Sequence, residues 1–168
     1  VGAGAGTLIG NKMDKQKKEL EAQLAEQAKV EEVKDNNGLQ AIKVTFDGGI
    51  LFPLNGTSLS ANAKKDLTGF ANNLINNPGT DVTVLGFTDN TGTYAVNERV
   101  ATGRADAVMT YLVNSGVKPT RIQAEGLPMQ DYVASNDTSE GRAQNRRVEI
   151  YITASKEMIQ QAESGTLK

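Results

Sequence analysis

From about Leu39 onward, the apolar residues recur with the spacing of strands and helices in turn. Alternating or short apolar segments predict four strands, and apolar residues three or four positions apart predict two long helices. The strands are expected near residues 42–46, 82–85, 122–125 and 148–152, and the helices near residues 60–76 and 93–114. Because strands and helices alternate, the chain predicts an α+β fold, a β-α-β-α-β sandwich with one mixed four-stranded sheet packed against two main helices.

The first 38 residues differ in character from the rest. Val1–Gly10 is rich in glycine, which favours either close backbone packing or a disordered terminus. Asn11–Val33 is charged and lacks proline and glycine, which predicts a solvated spacer helix, with a weak coiled coil as the alternative. Asp35–Gly38 then predicts a turn. The expected organisation is a glycine-rich stump and helical tether at 1–38, a domain at 39–155 and a helical tail at 156–168. Val1–Val33 is expected to be dispensable for ligand binding.

Composition narrows the possible functions. Eighteen basic and twenty acidic residues nearly balance, so the chain has no strong field for nucleic acid, and we expect no such partner. It contains neither cysteine nor histidine. Their absence excludes disulfides, thiolate metal sites and a Ser-His-Asp triad, and we expect no metal and no cofactor. Catalysis by paired carboxylates stays open on composition alone.

Two polar residues interrupt the apolar stripe of the second long helix. Asn97 and Arg104 lie seven residues apart, so they share a helix face and are about 10 Å apart along the axis. Polar residues that break a local pattern are expected at functional sites. Arg104 either extends to solvent, pairs with a structural carboxylate, or lines a cleft where its guanidinium binds a carboxylate through two hydrogen bonds.

The loop before this helix adds a negative charge. It spans Gly86–Gly92 and follows a buried strand, and the carboxyl ends of strands are favoured ligand sites in α/β sheets. Asp89 in this loop either caps the loop or helix or accepts hydrogen bonds from a ligand ammonium. A carboxylate and a guanidinium facing one cleft would complement a zwitterion, such as the free end of an amino acid.

Three motifs resemble those of the OmpA-like peptidoglycan-binding family. The first is G-F-T-D-x-x-G at Gly86–Gly92, the second is N-x-x-V-A-x-x-R-A at Asn97–Ala105, and the third is G-R-x-x-N-R-R-V at Gly141–Val148. The similarity extends from about Val44 to Ile152. This chain departs from the family pattern at Phe87, where relatives have histidine, and at Val100-Ala101, where they have Leu-Ser.

The resemblance implies roles for six residues. In the family, a loop aspartate and a helix arginine bind the zwitterionic end of diaminopimelate in the peptide stem of peptidoglycan. These roles fall on Asp89 and Arg104. The resemblance also implies ligand-binding positions for Thr88, Asn97, Arg146 and Asn55.

The resemblance implies a function of the same kind. We expect non-covalent binding of peptidoglycan that tethers the outer membrane to the wall on its periplasmic side, through a lipoprotein-type anchor upstream of these residues. The alternatives are the same fold used as a protein-interaction domain without wall binding, and an enzyme with Asp89 and Glu98 as paired acids. The enzyme is disfavoured because Arg104 would keep Asp89 ionised.

Overall fold

The computed structural model describes residues 1–168 and contains one five-stranded sheet with helices against it. The helices are α1 Ala3–Leu24, α2 Gly48–Leu51, α3 Ala61–Asn76, α4 Tyr94–Asn114, α5 Ser139–Asn145 and α6 Lys156–Ser164. The strands are β1 Lys29–Lys34, β2 Gln40–Asp47, β3 Thr80–Phe87, β4 Ile122–Leu127 and β5 Arg147–Ala154. The strand order is β1-β2-β5-β3-β4, and only β3 and β4 are parallel. The predicted mixed sheet and its α+β class are therefore confirmed.

One cluster of buried apolar side chains joins the helices to one face of the sheet. The central strand β5 contributes Val148, Ile150 and Ile152, which are fully buried. Their partners in the cluster come from β2, β3, α1, α3 and α4. Because side chains alternate along a strand, the intervening residues of β5 face the other side of the sheet.

Two glycines bring α4 unusually close to the sheet. A Cβ atom on Gly86 would lie 2.3 Å from the carbonyl oxygen of Ala101, and one on Gly126 would lie 2.5 Å from the backbone nitrogen of Thr102. Any larger residue in β3 or β4 would therefore push the helix away. This close contact fixes the part of α4 that carries Asn97 and Arg104 above the carboxyl end of β3.

The prediction for Asn11–Val33 is wrong in its bounds and in its environment. The helix ends at Leu24, and Lys29–Lys34 forms an edge strand antiparallel to β2. The helix is not solvated, because it buries an apolar stripe against α3, α6 and β2. The buried residues of the stripe are Ala5, Ile9, Met13, Gln16, Leu20 and Leu24.

The apolar spacing did not indicate this buried stripe, because the polar residue Gln16 interrupts it. Gln16 is buried and donates a hydrogen bond from Nε2 to Oδ1 of Asn73 in α3 at 3.0 Å, so the polar position is satisfied inside the interface. The added strand β1 gives the sheet five strands instead of four, and α1 joins α3 and α4 as a third long helix. No helix combines the length and apolar character that crossing a membrane requires.

We propose that α1 and β1 fold together with the rest of the chain, and one pair of substitutions tests this. Leu20→Ala removes a fully buried side chain, whereas Leu8→Ala removes one that is 41% exposed on the same helix. Leu20→Ala should lower the free energy of unfolding by about 2–5 kcal/mol, and Leu8→Ala should change it by no more than about 0.5 kcal/mol. Urea unfolding measures the free energy of unfolding of both variants. Equal changes in the two variants would show that α1 is a separate tether.

Candidate ligand-binding site

A cavity of about 350 Å³ opens at the carboxyl end of β3, and we call it the binding cavity. Its walls come from the loop after β3, the amino-terminal half of α4, the loop between α2 and α3, and α5 with the residue that follows it. All six residues named from the sequence line it: Asn55, Thr88, Asp89, Asn97, Arg104 and Arg146. The structure therefore brings together residues that lie up to 91 positions apart in the chain.

Asp89 is buried and forms an ion pair within the protein. Its Oδ2 accepts a hydrogen bond from Nη1 of Arg146 at 2.6 Å, and its Oδ1 accepts one from the backbone amide of Thr91 at 2.8 Å. Burial alone would raise the pKa of this carboxyl, but the Thr91 amide and Arg146 outweigh it and hold the pKa below its ordinary value. Asp89 thus caps its loop with one oxygen and presents a charged oxygen to the cavity with the other.

Arg104 has no carboxylate partner. Only 5% of the residue is exposed, and its guanidinium donates from Nε to the carbonyl of Gly56 at 2.9 Å and from Nη2 to that of Pro53 at 3.3 Å. The guanidinium also lies 5.0 Å from the centroid of the Phe52 ring. Burial lowers the pKa of Arg104, and the nearby charge of Arg146 lowers it further.

These contacts decide between the alternatives for Arg104. The side chain neither extends to solvent nor pairs with a structural carboxylate, and it lines the binding cavity. The expectation that Arg104 is the residue that keeps Asp89 ionised is wrong, because Arg146 is the partner of Asp89. Sequence spacing could not reveal that pair, since its members are 57 residues apart and meet only when β5 lies beside β3.

Asn97 and Thr88 shape the loop that carries Asp89. Nδ2 of Asn97 donates to the carbonyls of Thr91 and Thr93, both at 2.8 Å, which holds the loop against the first turn of α4. Oγ1 of Thr88 donates to the carbonyl of Asp89 and accepts from the amide of Met129, both at 2.9 Å. Both side chains therefore position Asp89, in addition to lining the cavity.

Asn55 lies at the cavity rim in a left-handed backbone conformation. Its φ is +56°, which asparagine adopts more readily than most residues. Its side chain is exposed and makes no hydrogen bond within the protein. The adjacent Leu54 is 83% exposed, so the rim combines a free amide with an apolar side chain.

The motif at residues 141–148 attaches α5 to the loop before it. A Cβ on Gly141 would lie 1.8 Å from the carbonyl oxygen of Ser135, so only glycine fits this contact. Oδ1 of Asn145 accepts from the amides of Val133 and Ala134 at 2.7 and 3.0 Å. These contacts fix the orientation of α5, and with it the two arginines that α5 and the following residue direct into the cavity.

Arg142 is a cavity residue that our sequence reasoning missed. It lines the binding cavity and donates from Nη1 to the carbonyl of Asn136 at 2.8 Å. A signal for it was present, because Arg142 precedes Arg146 by four residues in the same motif, which is the spacing of neighbours on a helix face.

Phe87, which stands where relatives have histidine, contacts an arginine on the other side of the sheet. The guanidinium of Arg147 lies 3.9 Å from the centroid of the Phe87 ring. Arg147 also donates from Nε to Oε2 of Glu149 at 2.8 Å, and both residues are buried. Phe87 therefore stabilises the strand β5 that begins directly after Arg146, without contributing a titratable group.

Comparison with known proteins gives the family. The OmpA family profile matches residues 51–146, more than half of the chain. The chain belongs to the OmpA family. This range includes all six residues named from the sequence.

Several named relatives are similar to about two thirds of the chain. The probable lipoprotein YiaD of Escherichia coli is 39% identical over 112 residues, which cover 67% of this chain and 51% of that protein. The peptidoglycan-binding protein ArfA of Mycobacterium tuberculosis is 41% identical over 112 residues, covering 67% of this chain and 34% of that protein. The chain thus spans about half the length of the first relative and a third of the second.

Solved structures agree with the fold. The cell wall anchor of the T6SS from Pseudomonas aeruginosa is 30% identical, with a TM-score of 0.70 over 81% of this chain and 97% of that one. A MotB-like protein from Desulfovibrio vulgaris has a TM-score of 0.75 at 23% identity over 89% of this chain and 96% of that one, a likeness of fold alone.

The pairing of Asp89 with Arg146 predicts a measurable titration. In the unmodified protein the Asp89 carboxyl should stay ionised below its ordinary pKa of about 3.9. The stabilisation from this pair is therefore present above that value and is lost as the pH falls through the lowered pKa. Arg146→Gln should raise the pKa of Asp89, because the buried carboxylate loses its charged partner.

Carbon-detected NMR titration of the Asp89 carboxyl measures this change. Arg142→Gln is the matched control, since Arg142 lines the same cavity but makes no hydrogen bond to Asp89, and it should shift the pKa less. The same pKa in the unmodified protein and in Arg146→Gln would contradict the pairing.

Proposed function

We propose that this chain is a non-covalent peptidoglycan-binding domain that recognises diaminopimelate in the peptide stem. Family membership supports wall binding, because ArfA is named as a peptidoglycan-binding protein and the T6SS relative as a cell wall anchor. Other relatives are named as an outer membrane protein and a lipoprotein. By extension, the domain acts on the periplasmic side of the outer membrane and tethers that membrane to the wall.

The observation that carries the proposal is the buried Arg104 guanidinium without a carboxylate partner. A buried charge is unfavourable unless it is paired and hydrogen-bonded, and the carbonyls of Gly56 and Pro53 satisfy only part of it. A carboxylate entering the binding cavity would complete the pair with the bidentate geometry that arginine favours. The ligand therefore brings the missing negative charge.

Asp89 supplies the complementary half of the site. Its ionised oxygen can accept hydrogen bonds from an ammonium, while Arg104 binds a carboxylate of the same ligand. The side-chain end of diaminopimelate carries both groups on one carbon. On binding, the ligand ammonium takes the place of Nη1 of Arg146 at Asp89, which frees Arg146 for a further contact.

The charges in the cavity favour binding over acid-base catalysis. Asp89 is the single carboxylate among the cavity-lining residues, and Glu98 is not one of them. The lowered pKa of Asp89 makes it a poor proton donor near neutral pH. A hydrolase with paired carboxylates would need a second acid facing the first.

Wall binding should depend on both charged halves of the site. Asp89→Asn and Arg104→Gln keep the approximate shape but remove the charge, and each should weaken binding to purified sacculi by about 2–5 kcal/mol, or roughly 30-fold or more. Asp106→Asn and Arg99→Gln are matched controls, since both residues are exposed on the same helix outside the cavity.

Sacculus pulldown and thermal melts measure these variants together. Retention of full binding by both cavity variants would overturn the site and favour a protein-interaction domain instead. Loss of folding in both would show that their role is structural.

The proposed ligand also predicts discrimination between stems. A stem with diaminopimelate should bind at least about tenfold more tightly than one with lysine, because lysine lacks the carboxylate that Arg104 requires. Isothermal titration calorimetry with two soluble tripeptides, one containing diaminopimelate and the other lysine, measures the difference in affinity. Equal affinities would contradict recognition of the zwitterion.

A further inference from the structure

The binding cavity carries more positive charge than a zwitterion can neutralise. It is lined by three guanidinium groups, those of Arg104, Arg142 and Arg146, and by the one carboxylate of Asp89. The zwitterionic end of diaminopimelate has no net charge, so its binding leaves this excess unchanged. The cavity as a whole therefore matches a ligand with at least one further anionic group.

Arg142 is the arginine that the zwitterion leaves unused. It donates from Nη1 to the carbonyl of Asn136 at 2.8 Å, and it forms no ion pair with any carboxylate of the chain. The helix that carries Arg142 is held in place, because Gly141 lies against Ser135 and Asn145 binds the amides of Val133 and Ala134.

Arg142 lies in α5 and Arg146 directly follows it; the backbone amide of Arg146 donates to the carbonyl of Arg142 at 3.1 Å, so the two residues lie one helical turn apart. Residues four apart in a helix have Cβ atoms about 6 Å from each other, which lets two guanidinium groups contact one carboxylate. Arg146 contacts Asp89 through Nη1 alone, so its remaining donors are available. The two side chains thus form a cationic edge of the cavity next to the pair that would bind the zwitterion.

We propose that Arg142 and Arg146 bind a second carboxylate of the ligand. On the proposed function, on which this inference rests, that group is the free α-carboxylate of the D-glutamate next to diaminopimelate in the stem. This glutamate is joined to diaminopimelate through its γ-carboxyl, so its α-carboxylate projects from the stem. An α-carboxamide carries no charge, and the site discriminates against stems amidated at this position.

Three soluble tripeptides of L-alanine, D-glutamate and diaminopimelate test the proposal. The first has both α-carboxylates free, the second is amidated at the glutamate, and the third is amidated at the diaminopimelate α-carboxyl. Calorimetry with the unmodified protein should show about tenfold weaker binding of the second peptide than of the first, since a hydrogen bond to a charged group is lost. The third should bind much like the first.

Two variants identify the residue responsible. Arg142→Gln should bind the first peptide more weakly, and it should prefer the first peptide over the second by a smaller factor than the unmodified protein does, because one of the two guanidinium groups that contact the carboxylate is gone. Arg99→Gln removes an arginine that is exposed outside the cavity, and it should keep the full discrimination. A thermal melt checks that Arg142→Gln is folded. The comparison of the three peptides on the unmodified protein does not depend on this variant.

The outcomes distinguish failure of this proposal from failure of the proposed function on which it rests. Equal binding of the first and second peptides would overturn the second carboxylate site while leaving recognition of diaminopimelate intact. If amidation of the diaminopimelate α-carboxyl weakens binding and amidation of the glutamate does not, the subsite binds another carboxylate. That result would overturn the glutamate assignment. Failure of all three to bind would overturn the proposed function itself.

Discussion

The burial of the Arg104 guanidinium without an acidic partner is the constraint on which the site depends. The charge remains in the protein interior because backbone carbonyls of Pro53 and Gly56 accept its hydrogen bonds. Those carbonyls are in place because the loop between α2 and α3 turns sharply at Asn55, and the side chain reaches them because Gly86 and Gly126 let α4 approach the sheet. The α2–α3 loop and α4 thus hold one positive charge at the cavity without an acidic partner.

The pairing of Asp89 with Arg146 complements this arrangement. A buried carboxylate with no partner would be protonated or would distort the loop, whereas the Arg146 contact and the Thr91 amide keep it charged and oriented before any ligand arrives. Because arginine remains protonated and the carboxyl remains ionised near neutral pH, the electrostatic character of the cavity is constant there. In the proposed complex, the ligand ammonium exchanges with one hydrogen-bonded partner of Asp89, and the fold does not rearrange.

The parts of the structure that sequence predicts are those encoded locally. The broken stripe of α4 indicated Asn97 and Arg104, and the alternating residues of β2 and β5 indicated the sheet. The parts that it missed depend on distant partners. The stripe of α1 was hidden because Gln16 is satisfied by Asn73, and Lys29–Lys34 forms a strand because β2 pairs with it. The choice of Arg146 over Arg104 as the partner of Asp89 depends on how β5 lies beside β3.

The direction of α1 has a mechanical consequence. Residues near the start of this helix lie beside α6, and its middle lies beside Asn76–Gly79 at the beginning of β3, whereas the binding cavity lies at the other end of that strand. The eight residues of β3 are joined by seven steps, which separate its two ends by about 23 Å. On the proposed function, a load applied between a bound wall fragment and α1 therefore runs along the strands. It is resisted by many backbone hydrogen bonds and by the buried stripe of α1 acting together, an arrangement suited to sustained tension.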